Sequence, residues 1–160
     1  MKFPAELKRT LYSAIVPVQC GDSRGTAFFV SNDTLLTARH IVVDHIESYD
    51  DVKILVGDSY VTCQIEKLGN DEEPIDVILL RINGDLHCQK LSLLVDVFNE
   101  DRDLSIVGYP KELGHGRDLI FIDVRDRIDT TRNAYDTALV RTDSLALSSY
   151  KGFSGSPVLN

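Results

Sequence analysis

Residues 25–40 read GTAFFVSNDTLLTARH, and this stretch decides the fold class. Two apolar runs, 25–30 and 34–38, flank the turn residues Ser31-Asn32-Asp33, a pattern typical of a β-hairpin. We expect His40, which follows the second run directly, to lie at the surface. Further β-rich runs recur along the chain with turn residues between them. They are 14–20, 52–56, 60–65, 77–82, 104–107, 119–124 and 137–140.

Short strands at this spacing predict a β-sandwich or a β-barrel. No alternation of strands with helices appears, which argues against a doubly wound sheet. Helix signals are confined to residues 4–13, where Pro4 suits the first turn of one short helix. The polar residues 99–103 are the predicted seam between two lobes of the chain.

Composition excludes several partners. The chain has 160 residues, enough for one domain or two small lobes, and its formal net charge of −8 would repel nucleic acid. Its apolar runs are too short to span a bilayer, and its first residues form no signal-peptide core, so we predict a cytoplasmic location.

Three cysteines without a CxxC pair indicate reduced thiols rather than a disulfide framework or a zinc site. We expect no metal and no cofactor.

One loop looks suited to acyl transfer, the segment GFSGSP at 152–157. A serine between glycines forces a tight turn whose backbone N–H groups can converge, as an oxyanion requires. Taken alone, such a turn is usually only a loop. A single histidine such as His40 is usually structural or solvated. Asp76 taken alone is best interpreted as the residue that begins the apolar strand at 77–80. The order His40, Asp76, Ser154 is what makes the three residues informative.

With these residues in place, the sequence resembles the chymotrypsin-fold (trypsin-like) serine peptidases, and among them the bacterial HtrA-like branch. The resemblance covers about residues 14–160. It rests on four segments, 25–30, 36–40, 76–80 and 152–157, with Arg141-Thr142-Asp143-Ser144 pointing to the branch. The order is discriminating, because α/β-hydrolases run Ser, Asp, His and subtilisins run Asp, His, Ser.

The resemblance implies an all-β fold of two antiparallel β-barrels, 14–98 and 101–160, with the second barrel incomplete at its C-terminus. It implies Ser154 as the nucleophile, His40 as the general base and Asp76 as the group that orients the imidazole. The backbone N–H groups of Gly152 and Ser154 would form the oxyanion hole.

These assignments imply a serine endopeptidase that hydrolyses protein or peptide substrates through an acyl-enzyme. Because the family continues past the nucleophile with further strands, we expect the domain to be the protease part of a longer, regulated protein. The alternative is a catalytically silent pseudopeptidase that uses the same cleft to bind peptides or proteins.

Some residues depart from the family pattern or carry weaker hypotheses. Phe153 stands where Asp often precedes the nucleophile, so activation by an inserted N-terminus is not expected. Arg39 replaces a small residue, and Ser156 replaces a glycine, which is tolerable if that position does not need positive φ.

Three further positions have competing readings. His45, near Asp44 and Glu47, could mark a metal site but matches a solvated loop better. Cys88 beside His87 could be a nucleophile but reads better as a buried structural thiol. Gly114-His115-Gly116 reads as a loop tip.

The residues expected to line the primary pocket predict which P1 residue the enzyme prefers. By alignment to the nucleophile, the resemblance implies that Ser148 lies near the base of the pocket and that Ser149 and Tyr150 lie on its wall. Since none of them is a carboxylate, we expect a small or apolar P1 residue. A peptide-library cleavage profile dominated by P1 Arg or Lys would refute this.

Overall fold

The computed structural model describes residues 4–42, 50–66, 76–93, 105–110, 120–132, 135–142 and 152–159. Helix α1 (Ala5–Ala14) precedes all the strands. The strands are β1 (Ile15–Cys20), β2 (Ser23–Phe29), β3 (Thr34–Thr37), β4 (Val52–Val56), β5 (Ser59–Glu66), β6 (Ile78–Ile82), β7 (Ser105–Gly108), β8 (Ile120–Arg132), β9 (Tyr135–Thr142) and β10 (Val158–Leu159).

The first six strands form a closed antiparallel barrel in the order β1-β2-β3-β6-β5-β4. Closure leaves none of these strands with an unpaired edge along its ladder. The barrel interior is apolar and fully buried at Phe29, Leu35, Ile54 and Leu80. Burial of each such side chain stabilises the fold by about 1.5–3 kcal/mol, so the barrel is a rigid base for whatever lies at its rim.

The pairing of β3 with β6 sets the position of two predicted site residues. Thr37 at the end of β3 pairs with Ile78 at the start of β6. In an antiparallel pair, the residues that follow one strand lie beside those that precede the other. His40 and Asp76 therefore come to the same end of the barrel.

A second, four-stranded sheet has the order β10-β7-β8-β9. Its long β8–β9 hairpin extends well beyond the predicted runs 119–124 and 137–140, and a register shift interrupts it between Val124 and Asp126. The extra length was missed because charged residues fill it, and backbone pairing does not require apolar side chains. The two-residue strand β10 was not predicted either.

A small apolar cluster joins α1, the barrel and the second sheet. Leu11 and Ala14 of α1 pack with Ile15, Val107 and Tyr109. The Tyr109 hydroxyl donates to the Ile15 carbonyl at 2.9 Å, and burial raises the pKa of that phenol. The second sheet is thereby held against the start of β1.

The predicted fold class is confirmed. The chain is mostly β, with a closed six-stranded barrel and one short N-terminal helix, and a chymotrypsin-like fold fits it. The four strands described in the second lobe form an open sheet.

The lobe limits 14–98 and 101–160 stay a prediction, and the proposed seam at 99–103 lies outside the described residues. No helix among the described residues is long and apolar enough to cross a membrane.

The buried Tyr109 hydroxyl gives a stability prediction. Tyr109→Phe should lower the free energy of unfolding by about 1–2 kcal/mol, because a buried carbonyl loses its donor. Urea denaturation measures the change, with Tyr60→Phe as the control, since Tyr60 is 57% exposed. Equal stabilities of the two variants would show that the Tyr109–Ile15 hydrogen bond contributes nothing.

Candidate active site

His40 is the first residue of a helical turn, residues 40–42, that follows β3. The Ile41 N–H donates to the Ala38 carbonyl at 3.3 Å, and the Val42 N–H donates to the Arg39 carbonyl at 3.0 Å. Ile41 and Val42 are buried in the barrel core and anchor the turn. His40 lies in the chain between β3 and these two buried residues. The His40 residue is exposed, as predicted from the sequence.

Asp76 holds His40 through both of its carboxylate oxygens. The His40 backbone N–H donates to Oδ1 at 2.9 Å, and ring Nδ1 lies 2.7 Å from Oδ2. An ionised carboxylate only accepts hydrogen bonds, so Nδ1 carries the proton and the neutral ring keeps a lone pair on Nε2. The two side chains are 56% and 59% exposed, so the pair adds little stability and acts mainly by orienting the ring.

The Ser154 loop is a tight turn between two glycines with positive φ, 99° at Gly152 and 81° at Gly155. The Ser156 N–H donates to the Phe153 carbonyl at 2.9 Å and closes the turn. In a trans peptide unit the C=O and N–H groups point in opposite directions. The Phe153 carbonyl points at the Ser156 N–H. The Ser154 N–H belongs to the same peptide unit as that carbonyl and therefore points in the opposite direction.

One side of the loop is docked on the barrel. The Ser154 carbonyl accepts a hydrogen bond of 2.8 Å from the Thr26 backbone N–H. A Cβ at Gly155 would overlap the Thr26 carbonyl and would lie 2.5 Å from Thr37 Oγ1 and 2.8 Å from Ala38 N. Only glycine fits here, and the loop backbone consequently lies against the segment that leads into His40.

The other side of the loop lies against the second sheet. The Val107 N–H donates to the Pro157 carbonyl at 3.2 Å, and β10 pairs with β7 directly after the loop. A Cβ at Gly108 would overlap Ser156 Oγ and lie 3.0 Å from the Phe153 ring. The loop is enclosed between the barrel and β7.

The structure therefore brings His40 and Asp76 into contact and places the backbone of Ser154 beside the same end of the barrel. Within the described ranges, no hydrogen bond joins Ser154 Oγ to the His40 ring. The complete triad and the oxyanion hole of Gly152 and Ser154 stay predictions. The pocket residues Ser148, Ser149 and Tyr150 lie outside the described residues.

Ser156, which replaces a family glycine, does not need positive φ. Among the described non-glycine residues only His87 has it. The condition for tolerating Ser156 is thus met. Phe153, at the position where the family often has Asp, is half-buried beside Gly108.

The cysteines fit the reading as inert thiols. All three are free, with Cys20 and Cys63 buried and Cys88 half-buried. Burial raises the pKa of each thiol, to about 12 for Cys63. A raised pKa leaves little thiolate at neutral pH, so Cys88 is not set up as a nucleophile.

Metal-ligating side chains do not gather in the part of the chain that the structure describes. No group of three or more His, Cys, Asp or Glu residues there could hold a metal ion. The segments of His45 and of Gly114-His115-Gly116 lie outside the described residues.

Comparison with known proteins assigns the family. The sequence profile of the trypsin-like peptidase domain matches residues 25–160, most of the chain. The chain belongs to that family. The predicted recognition and enzyme class, a trypsin-like serine endopeptidase, are confirmed at this level. A comparison with curated protein sequences returned no match.

Solved structures of other proteins show the same fold. The inactive form of the Rv3671c protease from M. tuberculosis is 20% identical, with a TM-score of 0.71 and coverage of 99% of this chain and 79% of that chain. The serine endoprotease from Yersinia pestis is 16% identical, with a TM-score of 0.64 and coverage of 99% and 55%. Deg5 is 14% identical, with a TM-score of 0.61 and coverage of 100% and 83%.

Sequence reasoning missed the residues that hold the serine loop of this peptidase domain. The sequence pattern places Thr26 in the apolar run 25–30 and predicts no function for Thr37 or Gly108. The available signal was a polar residue inside an apolar strand, since a buried hydroxyl needs a partner. The identity of that partner could not be predicted, because Thr26 and Gly152 are 126 positions apart.

Gly155 gives a test of the docked loop. Gly155→Ala should lower kcat by about 100-fold, because the added Cβ pushes the loop off the barrel and misplaces Ser154. Gly57→Ala is the matched control, because Gly57 also has positive φ, +59°, but a Cβ there meets nothing within 4 Å. Steady-state peptide hydrolysis by folded protein separates them. Equal kcat values would mean that the close packing at Gly155 does not position the serine.

Proposed function

We propose that this peptidase domain cleaves peptide bonds with Ser154, His40 and Asp76 as its catalytic triad. One observation carries the proposal. The His40–Asp76 pair and the docked Ser154 loop share one end of the barrel, and Thr26 and Ala38 connect them. Acyl transfer requires a nucleophile next to an oriented base, and the shared position of the pair and the loop supports these roles.

In the first step, Ser154 Oγ attacks the carbonyl carbon of the scissile bond while His40 Nε2 accepts its proton. The C–N bond of the tetrahedral intermediate then breaks, and His40 gives the proton to the leaving amine. Water attacks the resulting ester with His40 again as base. This second half releases the acyl group and restores the Ser154 hydroxyl.

Asp76 supports this cycle by fixing the ring. Its hydrogen bond to Nδ1 selects the tautomer with an accepting Nε2 and stabilises the imidazolium once a proton is taken up. Asp76 also accepts a hydrogen bond from the His40 backbone N–H, which holds the main chain at His40. The carboxylate therefore fixes both the position of His40 and the direction of its imidazole.

The oxyanion of the intermediate would be bound by the N–H groups of Gly152 and Ser154. The turn supports this for Ser154, since the Phe153 carbonyl is occupied by Ser156 and the Ser154 N–H points the other way. Removal of one such donor typically costs about 3–4 kcal/mol of transition-state stabilisation.

The substrate would be a protein or peptide, and the predicted small or apolar P1 preference stays part of the proposal. We also propose that the domain is the protease part of a longer, regulated bacterial protein in the cytoplasm. The Yersinia pestis endoprotease offers a precedent for this fold within a longer chain, since this chain covers 55% of it.

Labelling with a fluorophosphonate probe tests the triad. The wild type should be modified at Ser154, as mapped by peptide mass spectrometry, and Ser154→Ala should not react. Ser59→Ala is the control, because Ser59 is an exposed serine far from the loop in sequence and should leave labelling unchanged.

Asp76→Asn should lower kcat by about 10⁴-fold because the wrong tautomer is held.

Two results would contradict this assignment. Labelling of Ser154→Ala at the wild-type rate would place the nucleophile elsewhere. A wild type that neither reacts nor cleaves peptides would favour the pseudopeptidase, with the cleft used only for binding.

A further inference from the structure

Thr26 is a fully buried polar residue in β2, with 0% of its surface exposed. Its backbone N–H donates to the Ser154 carbonyl at 2.8 Å, and its hydroxyl donates to the Gly152 carbonyl at 2.8 Å. The same hydroxyl accepts from the Tyr109 N–H at 3.0 Å, and its carbonyl accepts from Thr37 Oγ1 at 2.8 Å. Every polar atom of Thr26 is used.

The two loop carbonyls that Thr26 holds flank the proposed nucleophile. The Gly152 carbonyl belongs to the peptide unit between Gly152 and Phe153. The neighbouring peptide units carry the N–H groups of Gly152 and Ser154. The held unit is joined to these two units at the Gly152 and Phe153 Cα atoms, so a shift of the held unit would displace both N–H groups. Gly152, with φ of 99° and no Cβ, offers little steric resistance to such a shift.

The Tyr109 N–H, directly after β7, fixes the direction of the Thr26 hydroxyl. Because the Tyr109 N–H occupies an acceptor position on Oγ1, the hydroxyl hydrogen is free to point at the Gly152 carbonyl. The surroundings are closely packed, since a Cβ at Gly108 would lie 2.8 Å from Thr26 Oγ1. Hydrogen bonds in such a dry environment are stronger than exposed ones.

We propose that Thr26 is a positioning residue of this peptidase. Its hydroxyl holds the Gly152 carbonyl on the barrel side of the loop and thereby keeps the Gly152 and Ser154 N–H groups directed at the oxyanion. The inference rests on the proposed function. Thr26 acts indirectly, because it fixes the loop backbone, which lies between the barrel and β7.

The test measures inactivation by a fluorophosphonate probe as two constants, the maximal rate kinact and the half-saturating concentration KI. Thr26→Val keeps the branched shape but removes the hydroxyl, so kinact should fall 10- to 100-fold while KI stays within twofold. Thr26→Ser restores the hydroxyl and should keep kinact within threefold of the wild type. Both oxyanion donors remain in Thr26→Val, which is why the loss is smaller than for a deleted donor.

A destabilised control separates positioning from mere stability. Ile54→Val loses a methyl group in the barrel core, away from the loop, and should lower the thermal midpoint without changing kinact per folded molecule. Thr26→Cys, with a weak thiol donor of similar size, should fall between serine and valine. It replaces Thr26→Val if that variant does not fold.

Equal kinact values for Thr26→Val and Ile54→Val, with both folded, would overturn the inference and leave Thr26 a structural residue. A wild type that the probe does not modify at Ser154 would overturn the proposed function, and this inference with it. The two failures are therefore distinct.

Discussion

The hydrogen bond from the Thr26 N–H to the Ser154 carbonyl, 2.8 Å long, is the constraint on which the proposed site depends. The barrel alone fixes His40 and Asp76, through the register of β3 and β6. The loop alone fixes the Ser154 backbone, through its own turn. Only the contact between loop and barrel decides whether base and nucleophile belong to one site.

Hydrogen bonds to Asp76, rather than burial, orient His40, the proposed base. The Asp76 carboxylate binds both the ring and the backbone of His40, although both side chains are more than half exposed. In water such a pair has little energetic value. A peptide bound over it would exclude water and strengthen its electrostatic interactions, so the pair would do most when substrate is present.

Much of the fold could be predicted because its signals are local. The apolar runs and turns gave the barrel strands within a few residues, and the pairing of His40 with Asp76 was expected from the resemblance. The extent of β8 and β9, the strand β10 and the contacts of Thr26 could not be predicted. The β8–β9 hairpin is local, but charged residues fill its extra length, whereas β10 and the contacts of Thr26 depend on partners distant in sequence.

The most direct measurement is a crystal structure of the domain with a peptidyl boronic acid bound. The proposed triad predicts boron bonded to Ser154 Oγ and one boron-bound oxygen within hydrogen-bond distance of the Gly152 and Ser154 nitrogens. It also predicts His40 Nε2 facing the adduct, with Nδ1 still on Asp76. An inhibitor attached to another residue, or a His40 ring turned away from Ser154 with protein packed between them, would contradict it.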